Sequence, residues 1–307
     1  MKIFIVIIQV LIVAGFAPLV SGIIRKLKNN MRMRRGPGIL QPYYNIAKLF
    51  AKDEVVSENA SWIFRAAPFI VLGASVFALS LVPVLDISAN INQIGDIILI
   101  VFVLSLGRFF LALAGLDTGS AFGGMGSSRE MFISSLAEPV MLISIFAVSI
   151  GLGSTNPSLM MHANHVRFSA CLAAVSFFMI MIAETSRLPV DNQETHLELT
   201  MVHEAMVLEY SGRSLAFIEL AAHIKQILFF TILANVILPV NLPVTEGSVL
   251  TVALGLAVYS AKILIIAGII AVIEVSVAKM RLFRVVDYLS FGFALAVMSL
   301  VISAIGL

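Results

Sequence analysis

Apolar runs of about 20 residues, the length a helix needs to cross a ~30 Å hydrocarbon core, recur along this chain and constrain its fold more than any other feature. Eight are legible, at roughly 2–24, 66–85, 94–116, 131–153, 168–184, 214–238, 248–273 and 286–306. They are continuous rather than alternating, which is not the pattern of barrel strands, and only helices or closed barrels satisfy their backbone groups in lipid. The expected fold is all-α: an integral membrane bundle of about eight transmembrane helices with cytoplasmic loops and an amphipathic surface helix, forming one membrane domain over 1–307. Composition agrees, with 60% hydrophobic and 12% charged residues against about 25% charged in soluble domains. The first run has only Lys2 before it and no small-residue cleavage site ahead of its basic flank, so it reads as a retained helix. A single cysteine, Cys171, excludes an internal disulfide framework, and the chain lacks thiolates for an iron–sulfur cluster or a four-sulfur zinc site.

Net charge is only +2, but the cations are unevenly placed. Nine lie between the first two runs: Arg25, Lys26, Lys28, Arg32, Arg34, Arg35, Lys48, Lys52 and Arg65. Same-side loops add Arg129, Arg187, Arg213, Lys279, Arg281 and Arg284, whereas the other side has Lys2 and Arg167 alone. The positive-inside rule then puts the docking loops 25–65 and 185–213 in the cytoplasm and both termini on the outer side of an inner (cytoplasmic) membrane. No internal repeat of the kind found in many secondary transporters is visible. Within the first loop, RRGPGILQPYYNIAKLF combines a Gly-Pro-Gly turn with a segment of amphipathic pattern.

Acidic residues cluster as well. Seven of the eighteen, Glu184, Asp191, Glu194, Glu198, Glu204, Glu209 and Glu219, fall between positions 184 and 219, beside hydrocarbon-grade sequence. Glu138, Arg108, Lys225 and Lys262 lie inside apolar runs. Ionisable groups at such depth are costly and mark ion pathways or paired helix locks. For Glu138, Lys225 and Lys262 a proton pathway is the favoured reading; for Arg108 pathway and lock weigh equally. Glu194 and Glu198 stand four apart, one helical face if the stretch is helical, and suit either proton exchange or a solvated face answering a basic partner. Arg187-Leu188-Pro189 breaks the helix leaving the fifth run. His203-Glu204 lacks the second histidine of a zincin, and neither it nor His196 has a convincing further ligand, so no metal site is expected. Gly123-Gly124-Met125-Gly126 lacks the strand and lysine of a phosphate loop and reads as a close-packing device. The basic stretch 279–284, next to Glu274, reads as a membrane anchor.

Several motifs stand together in order. AExxRxPxD at 183–191, followed by Glu194, Glu198 and Glu209-Tyr210-Ser211-Gly212, resembles the membrane subunit that joins the redox arm to the membrane arm of respiratory complex I. That subunit, the H subunit of bacteria and subunit 1 of mitochondria, is shared with energy-converting membrane-bound nickel–iron hydrogenases. RRGP at 34–37, LQPYxxxxKL at 40–49, Arg129 with Glu138, and Lys262 ahead of the basic 279–281 pair fit the same family over nearly the whole chain. Departures select a branch. The complex I stretch between RRGP and LQP, which helps build the quinone entrance, is shortened to Gly38-Ile39; His196 and Ala222 stand where the family has glutamates, and Glu274 replaces an arginine. THLELTMVHEAMVLEYSG resembles the formate hydrogenlyase and hydrogenase-4 type.

The resemblance implies a coupling subunit with no redox centre, catalytic site, metal or cofactor of its own. Nickel–iron and iron–sulfur centres would sit on hydrogenase large, small and iron–sulfur subunits docked on the cytoplasmic side. Antiporter-like membrane subunits and the lipid bilayer would be its other neighbours, with no nucleic acid. By match to the family, Glu138, Glu184, Asp191, Glu194, Glu198, Glu209 and Lys262 belong to a proton pathway; Glu219 and Lys225 join them by position and chemistry. Arg34, Arg35, Gly36, Pro37, Gln41, Pro42, Arg187 and Pro189 form the docking loops. Two alternatives remain at this stage: the quinone-site subunit of a complex I-like oxidoreductase, and a stand-alone cation/proton transporter.

Overall fold

The computed structural model describes residues 2–84, 95–161, 167–191, 201–238 and 249–306. Eleven helices account for most of them: α1 (Lys2–Met31), α2 (Gln41–Phe50), α3 (Trp62–Leu81), α4 (Ile97–Asp117), α5 (Ala121–Leu152), α6 (Pro157–Met161), α7 (Phe168–Glu184), α8 (His203–Val207), α9 (Gly212–Thr231), α10 (Val249–Ser276) and α11 (Leu282–Ile305). Seven are long and apolar enough to cross a bilayer, and α7, with 17 residues, occupies the position of the remaining expected span. No strand occurs among the described residues. The surface helix is α2, where Pro42 and Ile46 face inward while Gln41, Tyr44, Ala47 and Lys48 face out.

Two helices run further than hydropathy indicates. α1 continues to Met31, about 45 Å at 1.5 Å per residue, so Arg25, Lys26 and Lys28 are helical rather than part of a loop. α5 begins at Ala121, ten residues before the expected 131. Polar sequence hid that first part: Ser120 caps the helix by accepting from Gly123 N at 3.1 Å, and packing stabilises a glycine-rich turn that propensity disfavours. A Cβ on Gly126 would lie 2.8 Å from Ala205 Cβ and 3.0 Å from Met206 N. The glycines thus let α5 approach the 201–207 segment of the acidic stretch, the close-packing role expected of them.

α9 is the hub. The span it forms with Ile232–Ile237 is 78% buried over its most apolar stretch, against 28% for α11, and α9 packs on α1, α2, α3 and α10. α4 links α3 to α5, while α7 and α11 close the bundle on α5. Outward faces carry Leu11, Phe69, Phe102, Ile265 and Phe291, each at least 60% exposed. In water these would form an untenable apolar surface; in lipid they are the expected one. Beyond Thr231 the α9 coil widens into a π-helical turn, Ile232–Ile237. At its other end Tyr210 stacks on Phe64 with ring centroids 4.0 Å apart and donates to Phe64 O at 2.9 Å. Burial, with Asp117 and Glu54 nearby, pushes that phenol far above its ordinary range. It stays a neutral donor at any physiological pH.

Replacing Gly126 with Val should therefore destabilise the protein by roughly 1–3 kcal/mol, the usual cost of overpacking. Gly124→Val, at an open position with nothing within 4 Å, should cost less. Thermal unfolding of both variants in the same detergent checks the ordering.

Candidate functional site

Four helices converge on one guanidinium. Arg108 on α4 is 6% exposed, and Gly107 beside it lets α3 approach, a Cβ there lying 3.3 Å from Ala74 Cβ. Arg108 Nη1 donates to Glu138 Oε1 at 3.0 Å, Nη2 pairs with Glu184 Oε2, and Nε lies 3.9 Å from Glu130 Oε1. Glu130 and Glu138 are eight apart on α5 and so share a face. Glu184 is the last residue of α7, and its Oε2 also takes Lys225 Nζ of α9 at 2.9 Å. Ser105, one turn before Arg108, donates to Glu138 Oε1 at 2.7 Å.

Three carboxylates thus face two cations, so the cluster can hold one added proton and be neutral overall. Apolar surroundings make each of these ion pairs strong but costly to break. The exposure is graded: the Glu184 side chain is 2% exposed and that of Glu138 34%. Pro139 follows Glu138 and supplies no N–H to the carbonyl of Ser135, one turn back. Glu138 is accordingly the outward end of the cluster and Glu184 the inward end.

A second network lies toward the end of the bundle that bears Arg25 and Lys28. Glu274 of α10 pairs with Lys28 Nζ at 3.2 Å and Arg187 Nη1 at 2.6 Å. Arg187 Nη2 donates to Gln226 Oε1 at 2.8 Å, and Ser21 Oγ lies 2.8 Å from both Gln226 Oε1 and His223 Nδ1. These side chains, with Glu204 and Glu219, border a cavity of about 250 Å³, room for several waters. A smaller cavity of about 60 Å³ lies against Arg108, Glu130, Glu184 and Lys225. Thr185, Ser186, His203, Ile218 and Ala222 border both. Next to them Asp191 binds Lys279 Nζ at 2.6 Å and accepts from His203 N at 3.2 Å, tying the 185–191 turn to the segment before α11.

Of the sequence-derived pathway residues, Glu138, Glu184 and Lys225 meet in the Arg108 cluster, and Asp191 and Glu219 line the larger cavity. Glu209 is exposed and outside both. Glu194, Glu198 and His196 fall outside the described residues. Lys262 sits elsewhere, against the π turn, its Nζ 3.4 Å from Ala234 O and 3.3 Å from Asn235 Oδ1, while Asn235 Nδ2 reaches Pro83 O and Val84 O. Among the docking residues, Arg34, Arg35, Pro37 and Gln41 are exposed and Gly36 is partly so, packed on Asn29. Pro42 and Pro189 are buried, and Arg187 is turned inward. Among the described residues no group of three or more His, Cys, Asp or Glu is placed to hold a metal.

Sequence reading left out Glu130, Ser21, His223 and Gln226, gave Arg108 no more than even weight, and noted Glu274 as a family departure and as a neighbour of the basic 279–284 stretch. One signal was available. Glu219, His223 and Gln226 are spaced four and three apart, a polar stripe at helical period within an apolar run. Removing Arg108 would strand the buried carboxylates, so Arg108→Leu should cost about 3–5 kcal/mol. Arg108→Lys, retaining one cation, should cost less. Thermal unfolding in detergent, with yield of folded protein as the cross-check, measures both.

The NADH dehydrogenase family description matches residues 1–304. Formate hydrogenlyase subunit 4 of Escherichia coli is 32% identical over 298 residues, covering 94% of this chain and 94% of its own, and hydrogenase-4 component C of the same organism is 30% identical over 303 residues, covering 97% and 95%. The H subunit of the NADH-quinone oxidoreductase of Orientia tsutsugamushi is 29% identical over 240 residues, covering 74% and 68%. A chain in the structure of the membrane-bound sulfane sulfur reductase, an archaeal respiratory membrane complex, superposes with a TM-score of 0.81 over 97% of this chain and 99% of its own, at 20% identity, and so shares the fold. The expected resemblance holds, and the chain belongs to the NADH dehydrogenase family, that of the complex I H subunit.

Proposed function

We infer that this chain is the membrane coupling subunit of a hydrogen-evolving or hydrogen-oxidising nickel–iron hydrogenase complex. It anchors the soluble redox arm and links electron transfer to proton movement through its buried ionisable groups. The observation that carries the reading is the juxtaposition of two cavities bordered by ionisable side chains with the Arg108 cluster, whose three carboxylates run from the enclosed Glu184 to the partly exposed Glu138. A proton taken up at Glu184 from the cavity side removes a negative charge beside Arg108 and so favours release of a proton held at Glu138, at the flank of α5, where an adjoining antiporter-like subunit would take it. Near-full-length likeness to formate hydrogenlyase subunit 4 and hydrogenase-4 component C supports the hydrogenase branch over the quinone branch, whose relatives match about three quarters of the chain.

In this reading the nickel–iron and iron–sulfur centres belong to partner subunits. The exposed Arg34 and Arg35, beside the Gly36-Pro37 turn, face those partners. The cytoplasmic placement of that surface, and of both termini on the outer side, follows from the cation asymmetry. Against a quinone chamber speaks the linker after Gly36-Pro37: Ile39 O packs on Gly22 of α1, where no Cβ would fit, so α1 and the start of α2 lie tightly together.

Purification in mild detergent through a tag on this chain, with metal analysis, tests the assignment. Nickel and iron with hydrogenase-type subunits are expected; flavin without nickel would move the chain to the quinone-reducing branch, and a lone 33.1 kDa protein to the transporter. Coupling is tested separately by Glu138→Gln. The complex should assemble and transfer electrons, while proton translocation into vesicles falls about 10²-fold or more, the range for a positioned proton-transfer group. Unchanged translocation in that variant defeats the proton route.

A further inference from the structure

The larger cavity contains one titratable side chain whose protonation geometry is fixed by its neighbours. A guanidinium can only donate hydrogen bonds, so the Gln226 atom 2.8 Å from Arg187 Nη2 must be its amide oxygen. That oxygen can only accept, so Ser21, also 2.8 Å from it, spends its single hydroxyl proton there. Ser21 Oγ is then an acceptor toward His223, and Nδ1, 2.8 Å away, must carry a proton. The neutral imidazole is therefore held as the Nδ1–H tautomer, leaving Nε2 with its lone pair as the basic atom. The order of donation, from Arg187 to Gln226 and from His223 through Ser21 to the same oxygen, admits no other arrangement while Arg187 is in place.

A second observation concerns the cavity contents. Gln226 is 4% exposed and borders the cavity, and its Nε2 is a buried donor with no partner among the described atoms. An amide donor in that position is satisfied by an ordered water. Glu219, one turn before His223 on α9, borders the same cavity, and Ala222 next to His223 borders both this cavity and the smaller one at Glu184 and Lys225.

We propose that His223 is the proton-relay residue of the larger cavity, with Ser21 and Gln226 as the positioning residues that keep Nε2 available as its base. In the relay step the Nε2 lone pair takes a proton from the Glu219 carboxyl, giving an imidazolium and leaving a carboxylate that is reprotonated from the cavity. Nε2 then releases the same proton to water of the larger cavity beside Ala222, which also borders the smaller cavity at Glu184, restoring the starting tautomer. Nδ1–H stays bonded to Ser21 throughout, so no ring flip is needed and nothing is oxidised or reduced. Proton-relay function deepens the coupling reading above and rests on it.

The test uses the assembled complex in vesicles with an entrapped pH dye, and the readout is the initial rate of proton translocation per electron transferred. His223→Asn places its amide nitrogen near the former Nδ1, keeping a donor to Ser21 while removing the base. Relay predicts about a 100-fold fall with electron transfer and assembly retained; a wild-type ratio overturns the proposal. Ser21 supplies an independent arm should His223→Asn not assemble. Ser21→Ala should lower the ratio and Ser21→Thr, which keeps the hydroxyl, should restore it. Ser21→Ala at the wild-type ratio, or Ser21→Thr as impaired as Ser21→Ala, overturns it. Glu138→Gln separates the two levels: a collapse there with an unaffected His223→Asn defeats the relay alone, whereas no effect in either variant defeats the coupling reading itself.

Discussion

A single buried guanidinium sets the conditions under which this bundle can exist. Arg108 is enclosed among α4, α5, α7 and α9, and three carboxylates reach it from two of those helices. An isolated charge at this depth would cost several kcal/mol after relaxation, so these helices cannot separate without stranding an ion. The same low dielectric makes the pairs responsive, because adding or removing a proton at one carboxylate changes the field at the others at close range. Of the two readings the sequence holds in balance for Arg108, these ion pairs supply the lock, and the proposed pathway would use the same groups.

Ion pairs also connect the surface segments to the buried core. Glu274 ties α1, α10 and the 185–191 turn together through Lys28 and Arg187; Asp191 ties that turn to Lys279 and to the start of α8. α8 in turn packs on the glycine-rich beginning of α5, the helix bearing Glu130 and Glu138. A displacement of the 185–191 turn or of the 201–207 segment would thus act on these networks through direct contacts. No long-range transmission has to be assumed.

What sequence alone revealed divides along physical lines. The bundle was legible because hydropathy over ~20 residues reports directly on the cost of exposing backbone and polar groups to lipid. The ends were not. Polar sequence at Arg25–Met31 and Gly123–Glu130 forms helix because neighbours pack on it, which no local pattern records. Glu138, Glu184 and Lys225 were recognisable one by one as misplaced charges, yet that they share Arg108 is a matter of how four helices pack. Glu209, read from its motif as part of the pathway, lies exposed and apart, since a motif fixes a position in the chain and not the direction of a side chain. Arg187, read as a docking-loop residue whose guanidinium stands beside the acids, is turned inward by the bend at Leu188-Pro189 and pairs with Glu274.

α9 shows how one largely buried helix can also present polar groups to a cavity. A helix of apolar residues alone would seal the core, and a polar one would not partition into it. Glu219, His223 and Gln226 form a narrow polar stripe facing the larger cavity, while Lys225, offset from it, reaches Glu184 in the smaller one. From Gln226 to Thr231 every residue is buried, with Phe229, Phe230 and Ile227 fully enclosed. Past Thr231 the helix changes to π geometry, placing Ala234 O and Asn235 Oδ1 within reach of Lys262 Nζ; such bulges recur at functional sites because they free backbone acceptors within a continuous helix. The stripe and the bulge are the places where α9 departs from an ideal apolar span. Both departures face ionisable side chains.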